Sequence, residues 1–455
     1  MANRTDHVLD FIHGLKLSDI PDDAVYHGKR CLLDLIGVAA AGLTTENSRI
    51  VRDFAARYEG AGAIGARLVF DGRRVSVPAA AMANAATIDS FDAHDGLKET
   101  KGHAGAVVLP ALLALCDEIA PCDGAEFLTR FILGYEVACR AGLALHASVA
   151  DYHTSGAWTA LAAAGLFSRG MKLSKQQTWE ALGTAEYYGP RSQMMRCIDA
   201  PTMVKDGATY GAQVGATAAL LAVDGFTGAP AITISDDAVA RFWSNLGSHW
   251  YMSEQYLKPY GVCRWAQPAV KAALTLREKV SVDAIAQVEV ITFHEAVRLA
   301  TKRPKTTEEA QYSLPYPVAA ALLTGGISPE VITKGLDDPA ILAMVDKIVM
   351  SETDEINATF PKQRLAAMRI TLTDGRTVSC DAIRADGDPE APLSDAEVEA
   401  KFRDLAHHSL EPATIDALKS TVDGITSRKN ASDLTDLLLC DPGRTWKTAG
   451  RFVAT

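Results

Sequence analysis

The stretch T-I-D-S-F-D-A-H-D-G-L-K-E-T-K-G-H-A-G-A-V-V-L-P-A-L-L-A-L, Thr87 to Leu115, decides how the rest of the chain reads. Its second half is apolar at almost every position, as expected of a helix buried on most sides. Its first half carries Asp89, Asp92, His94, Asp95, Lys98, Lys101 and His103 in a segment bracketed by Gly96 and Gly102. A polar loop between two core helices sits at the mouth of a buried element, where scaffold-held functional groups concentrate.

Outward from this stretch, the pattern stays helical to about residue 270. Asp22 is expected to cap a helix over residues 24–43, and Ala-rich runs with apolar spacing of three and four cover 104–119, 124–148, 157–169, 174–187 and 207–223. Small-residue helices of this kind approach closely in a bundle. One interruption, residues 66–77, reads as a short hairpin around Asp71-Gly72. Beyond residue 280 the period changes. Residues 287–293 alternate, and 368–372 and 377–383 flank Asp374-Gly375 as a β-hairpin, with helical patterns at 316–324 and 338–345 between them. Helices resume at 395–407, 412–422 and 431–440. The expected architecture is mainly α. A large helical domain is built from both chain ends, residues 1–270 and 395–455, with a smaller α+β lid, residues 271–394, inserted between them.

A chain of 455 residues with 48% hydrophobic and 22% charged side chains has ample apolar surface for two cores. The 45 basic against 56 acidic residues give a net charge of −11, which disfavours nucleic acid, because counterion release needs a dense basic face. Any anionic ligand must be held by a local cluster of cations. The eight cysteines form neither a C-x-x-C pair nor a metal-site spacing, and are read as reduced thiols of a cytoplasmic protein. No apolar run reaches membrane-spanning length.

Three further segments carry candidate chemistry. D-Y-H-T-S-G-A-W, residues 151–158, puts His153 before an Ala-rich helix capped by Thr154 or Ser155, whose free amides suit an anion. G-P-R-S-Q-M-M-R-C-I-D-A-P-T-M-V-K-D-G, residues 189–207, places Arg191, Arg196 and Lys205 on an irregular stretch, with Asp199 and Asp206 as internal partners. Y-L-K-P-Y-G-V-C-R-W-A-Q-P, residues 256–268, adds Lys258 and Arg264 at the domain junction, a common position for ligand sites. The oxygens of the 89–95 cluster lack EF-hand or H-E-x-x-H spacing, so no metal is expected.

Taken in register, these segments resemble the MmgE/PrpD family of 2-methylcitrate dehydratases, cis-aconitate decarboxylases and iminodisuccinate epimerases. The likeness also includes D-L-I-G-V-A-A-A-G-L (34–43), M-V-K-D-G with G-F-T-G-A-P (203–230) and T-T-E-E-A-Q-Y-S-L-P-Y-P-V-A-A-A-L (306–322). The resemblance implies a homodimer, catalysis without metal or organic cofactor, and a site between the domains. It carries the family's carboxylate onto Asp89, its histidines onto His103 and His153, its lysines onto Lys205 and Lys258, and its tyrosine onto Tyr316. Departures are Ala93 where the family has a threonine, D-Y-H-T in place of G-W-H-P, and Cys263 and Gln267 at slots that elsewhere hold histidine.

The shared chemistry is proton removal from a carbon beside a carboxylate, which needs a base and charge stabilisation. The expected catalytic set is His103, His153, Asp89, Lys205 and Tyr316. Lys258, Arg264, Asp92, His94, Lys101 and Arg191 are expected to bind substrate. The implied activity is a hydro-lyase acting on a small di- or tricarboxylate. A decarboxylase or epimerase is the alternative, and a noncatalytic carboxylate-binding dimer the alternative of another class. No nucleic-acid or membrane partner is expected.

Overall fold

A computed structural model of the chain describes residues 2–441. Residues 442–455, the end of the segment expected to rejoin the helical domain, lie outside the described residues.

The protein is mainly α. Helices Val77–Asp89, Gly105–Glu118, Gly124–Ser148, Gly156–Gly170 and Ala208–Val223 form the centre of the larger core. Their small residues let backbones touch: a Cβ added at Gly215 would lie 2.4 Å from the Ala160 carbonyl oxygen. Asp22 does not cap the first long helix. That helix runs Asp22–Gly42 with Pro21 at the cap position, so Asp22 lies in the first turn, where its charge complements the helix dipole.

Both chain ends enter this core, which takes residues from Val8 to Leu257 and again from Leu393 to Leu439. The Asp395–Ala406 helix packs on Asp22–Gly42, and a buried ion pair joins them, with Lys401 Nζ 2.6 Å from Asp34 Oδ1. The hairpin at 66–77 forms as two short paired strands, β1 (Ala66–Arg67) and β2 (Arg74–Val75).

A second hydrophobic cluster is built from residues 262–372. Its sheet contains β3 (Ile285–Thr292), β4 (Ile348–Glu352), β5 (Leu365–Leu372) and β6 (Thr377–Arg384) in the order β4-β3-β5-β6. β3 and β4 are parallel, and the other pairs antiparallel. The helix Gln267–Arg277 spans the expected boundary at 270/271 and gives its apolar face to this second cluster. So does the short helix Met194–Asp199, through Met194, Cys197 and Ile198. The two cores therefore meet along the 189–207 and 256–268 segments. No helix among the described residues is long and apolar enough to cross a membrane.

Candidate active site

The polar loop after Val77–Asp89 is held by backbone pairing. Gly96 N donates to Tyr256 O at 3.1 Å and Tyr256 N to Gly96 O at 2.8 Å, and Leu97 N donates to Gly102 O at 3.0 Å. Lys101 closes the turn at φ +52°. Gly96 is required by crowding, because a Cβ there would lie 2.5 Å from Tyr256 Oη and 2.8 Å from His103 Nδ1.

This frame fixes His103. Its backbone N donates to Ser155 Oγ at 2.9 Å, and its ring Nδ1 lies 2.5 Å from the Asp95 carbonyl oxygen. A carbonyl oxygen only accepts, so Nδ1 carries the proton and Nε2 keeps its lone pair. Burial, reinforced by the charge of Lys258, holds the His103 imidazole well below the ordinary histidine pKa, so it is neutral at pH 7.

Behind His103 lies His94, fully buried, with ring centroids 4.3 Å apart. His94 Nε2 stands 3.4 Å from Asp89 Oδ1 and 3.5 Å from Asp92 Oδ1. The two carboxyls are driven apart. Burial raises the Asp89 pKa, with Lys205 opposing. Asp92 is held well below the usual carboxylate range despite its burial, because Lys258 Nζ sits 2.8 Å from its Oδ1. Such divergence marks acid and base assignments in other sites.

Asp206 occupies the N-terminus of the Gly156–Gly170 helix. Ser155 Oγ donates to Asp206 Oδ2, Ser155 N donates to Oδ1 at 3.2 Å, and Gly156 N donates to the Asp206 carbonyl at 3.0 Å. The amides that sequence reading offered to an anionic ligand are thus taken by this chain's own aspartate. Neither Thr154 nor Ser155 caps the helix through its side chain. Burial and the neighbouring Asp89 raise the Asp206 pKa to about 8.

The second core supplies the other wall. Gln311 bridges the cores: its Oε1 accepts from Asp92 N at 2.9 Å and from Lys205 Nζ at 2.6 Å, and its Nε2 donates to Ser90 O at 3.0 Å. Arg264 donates to Asp388 Oδ1 at 2.6 Å and to Asp386 O at 2.9 Å. Its guanidinium stacks on the Tyr256 ring at 4.9 Å. Between the walls is a small, partly open cavity. His103, Asp92, Lys101, Arg264, Tyr312 and Arg364 are among the residues that line it.

The sequence-derived residues therefore divide by position. His103, Asp92, Lys101 and Arg264 reach the cavity, and Asp89, His94, Lys205 and Lys258 form the buried layer behind Asp92 and His103. Three lie apart. His153 points its Nδ1 at the Asp151 carbonyl, 2.9 Å away, while its neighbour Tyr152 turns into the cavity. Tyr316 is buried in the second core, where its hydroxyl donates to Val331 O at 3.0 Å and Gly335 O at 2.8 Å. Arg191 is exposed, 3.6 Å from Glu186.

Sequence reading missed Tyr256, Gln311, Tyr312 and Arg364. The first three lie inside quoted segments, Y-L-K-P-Y and E-A-Q-Y-S, where a polar residue among apolar neighbours was the available signal. Arg364 gave none, since it lies between the 306–322 segment and the strand expected at 368–372, outside every stretch singled out in the sequence.

Asp92, His94 and His103 each present one potential metal-ligand atom within 4.8 Å of the others. The Lys258 ammonium, 2.8 Å from Asp92 Oδ1, already neutralises that carboxylate and repels a second cation beside it.

Two family models cover the chain, the MmgE/PrpD N-terminal domain over residues 6–248 and the MmgE/PrpD C-terminal domain over 260–423. Among curated proteins, the chain is 25% identical to the human cis-aconitate decarboxylase, covering 95% of this chain and 94% of that protein. It is 26% identical to the mouse protein of the same name over 95% and 93%. The cis-aconitate decarboxylase of Aspergillus terreus is 22% identical over 96% of each. With both domain models matched in order across a fold of two cores, the chain belongs to the MmgE/PrpD family.

Proposed function

We propose that this protein is a cofactor-independent lyase that removes a proton from the carbon beside a carboxylate of a small di- or tricarboxylate, with His103 as the base. One observation carries the reading: the His103 tautomer fixed by the Asp95 carbonyl leaves a neutral Nε2 in a cavity rimmed by Lys101, Arg264 and Arg364. A neutral imidazole accepts a proton, and nearby cations stabilise the charge that develops on the carboxylate. Asp89, His94 and Lys205 act from behind, through Asp92, Gln311 and the His94–His103 ring contact. Tyr312 takes the place expected of Tyr316: its hydroxyl is kept protonated by burial, so it serves as a donor.

Elimination of water from a 2-methylcitrate-like hydroxy acid is the first reading. Decarboxylation is the second, favoured by relatives named cis-aconitate decarboxylase. In that direction the carbanion left by departing carbon dioxide must be protonated, and burial keeps His103 from holding a proton at neutral pH. Proton NMR in deuterium oxide with citrate, 2-methylcitrate and cis-aconitate separates these outcomes. Elimination yields an alkene, decarboxylation loses carbon dioxide, and epimerisation exchanges the α-hydrogen without changing composition. No exchange into any of them leaves only a carboxylate binder.

We place the protein in the cytoplasm as a homodimer. All eight cysteines are free thiols. Tyr187, Tyr188, Val204 and Tyr210 expose apolar surface on and beside the neighbouring helices Lys175–Tyr188 and Ala208–Val223, which suits a second copy. Light scattering on a sizing column tests this, and a monomer mass would refute it.

A further inference from the structure

The cations of the site divide by what neutralises them. Lys258 is bound to Asp92 at 2.8 Å, Arg264 to Asp388 at 2.6 Å, and Lys98, just outside, to Glu390 at 2.6 Å. Arg364 is different. It is 3% exposed, yet no carboxylate among the described residues lies within ion-pair distance of it. One guanidinium nitrogen, Nη2, donates to the Lys98 carbonyl at 3.2 Å, while Nε and Nη1 have no hydrogen-bond partner. A desolvated guanidinium with two idle donor nitrogens is costly unless an anion completes it.

Its position says which anion. Arg364 directly precedes β5, so the sheet holds its backbone. Its guanidinium packs on the Tyr256 ring at 5.5 Å, and the His103 ring meets the same tyrosine edge-on at 6.3 Å between centroids. Lys101, also lining the cavity, has no carboxylate within ion-pair distance among the described residues; its ammonium rests over Tyr152 at 4.2 Å.

We propose that Arg364, with Lys101, forms a carboxylate subsite that anchors the acid group of the substrate remote from the carbon facing His103. This deepens the function proposed above: it makes the second carboxylate a requirement, and explains how an acidic protein selects a polyanion. An arginine fork matches a carboxylate in bidentate fashion, which a lysine cannot copy.

The test is calorimetric binding of tricarballylate, an unreactive tricarboxylate, and of propionate, a monocarboxylate, to the full chain and to Arg364→Lys and Arg364→Met. Arg364→Met is expected to weaken tricarballylate roughly 10- to 100-fold, the range of a charge-assisted pair. Arg364→Lys should recover part of this, and propionate binding should change little. Guanidinium ion added to Arg364→Met should restore tricarballylate affinity, which a structural role would not allow. The melting temperature of Arg364→Met should hold or rise, because an unneutralised buried charge is removed.

Tricarballylate binding unchanged in Arg364→Met, an equal loss for propionate, or no binding by the unaltered protein at millimolar concentration would each overturn the subsite. The two readings fail separately. Arg364-dependent binding without deuterium exchange into any polycarboxylate defeats the base assignment alone, and turnover indifferent to Arg364 defeats the subsite alone.

Discussion

Replacing His103 by Gln tests the chemistry most directly. Glutamine can keep a donor near the Asp95 carbonyl, and the backbone bond from residue 103 to Ser155 Oγ is unaffected. The stability cost is therefore confined to one imperfect buried hydrogen bond and some lost ring packing, about 1 kcal/mol. Turnover has no such replacement, because an amide has no basic lone pair at neutral pH. Losing a proton-transfer group costs roughly 10²- to 10⁴-fold, about 2.7 to 5.4 kcal/mol of barrier. The assay is deuterium exchange at the α-carbon followed by NMR, alongside a thermal melt of the same preparation. A folded His103→Gln protein exchanging within about threefold of the unaltered rate would refute the base assignment, since the threshold set above is far larger. His153→Ala provides the internal control. Its ring faces the Asp151 carbonyl, so the expected loss is less than about tenfold. The pH profile adds an independent reading. With the His103 pKa lowered, the working neutral form is complete by the ordinary value of 6.5 and is lost only on further acidification. A rate still climbing above pH 7 would contradict this.

Other outcomes follow from particular contacts. Gly96→Ala should cut turnover more than it lowers the melting temperature, because the new methyl pushes on Tyr256 Oη and His103 Nδ1; equal rates would show that the loop yields freely. Lys401→Met strands Asp34 in the core between two helices, and urea titration should show a loss of about 3–5 kcal/mol. Lys258→Met should raise the Asp92 pKa, now set by burial, and move an acid limb toward neutral in both rate and stability. In the unaltered protein the depressed Asp92 pKa contributes stability above its reference value of 3.8, and that stability is lost only as pH falls through the lower folded value. A melting curve of Lys258→Met with the parent's pH dependence would refute the coupling.

The helices were legible because their signal is local. Apolar spacing marked residues 124–148, and the helix runs Gly124–Ser148; the alternation and the Asp374-Gly375 turn located β5 and β6. Much of the polar site was legible too, since Asp89 through His103 occupy one loop and report their own density. The domain-crossing groups were harder. Met194, Cys197 and Ile198 look like any short apolar face, and only the packed chain assigns them to the second core.

What the sequence determined by itself is thus the mainly helical fold and the loop that presents His103, which depend on patterns within a few turns of chain, and the family, carried by short segments in register between residues 34 and 322. Tertiary structure alone decided which charges are spent and which are free. Lys258 meets Asp92 across 166 residues and Arg264 meets Asp388 across 124, while Arg364 meets no carboxylate within ion-pair distance among the described residues. It likewise turned Tyr316 inward to backbone carbonyls, and set His153 Nδ1 against the Asp151 carbonyl while Tyr152 lines the cavity. The physical reason is that helical periodicity is set by neighbours three and four residues apart, whereas neutralisation of a buried charge depends on whichever distant group folding brings within a few ångströms.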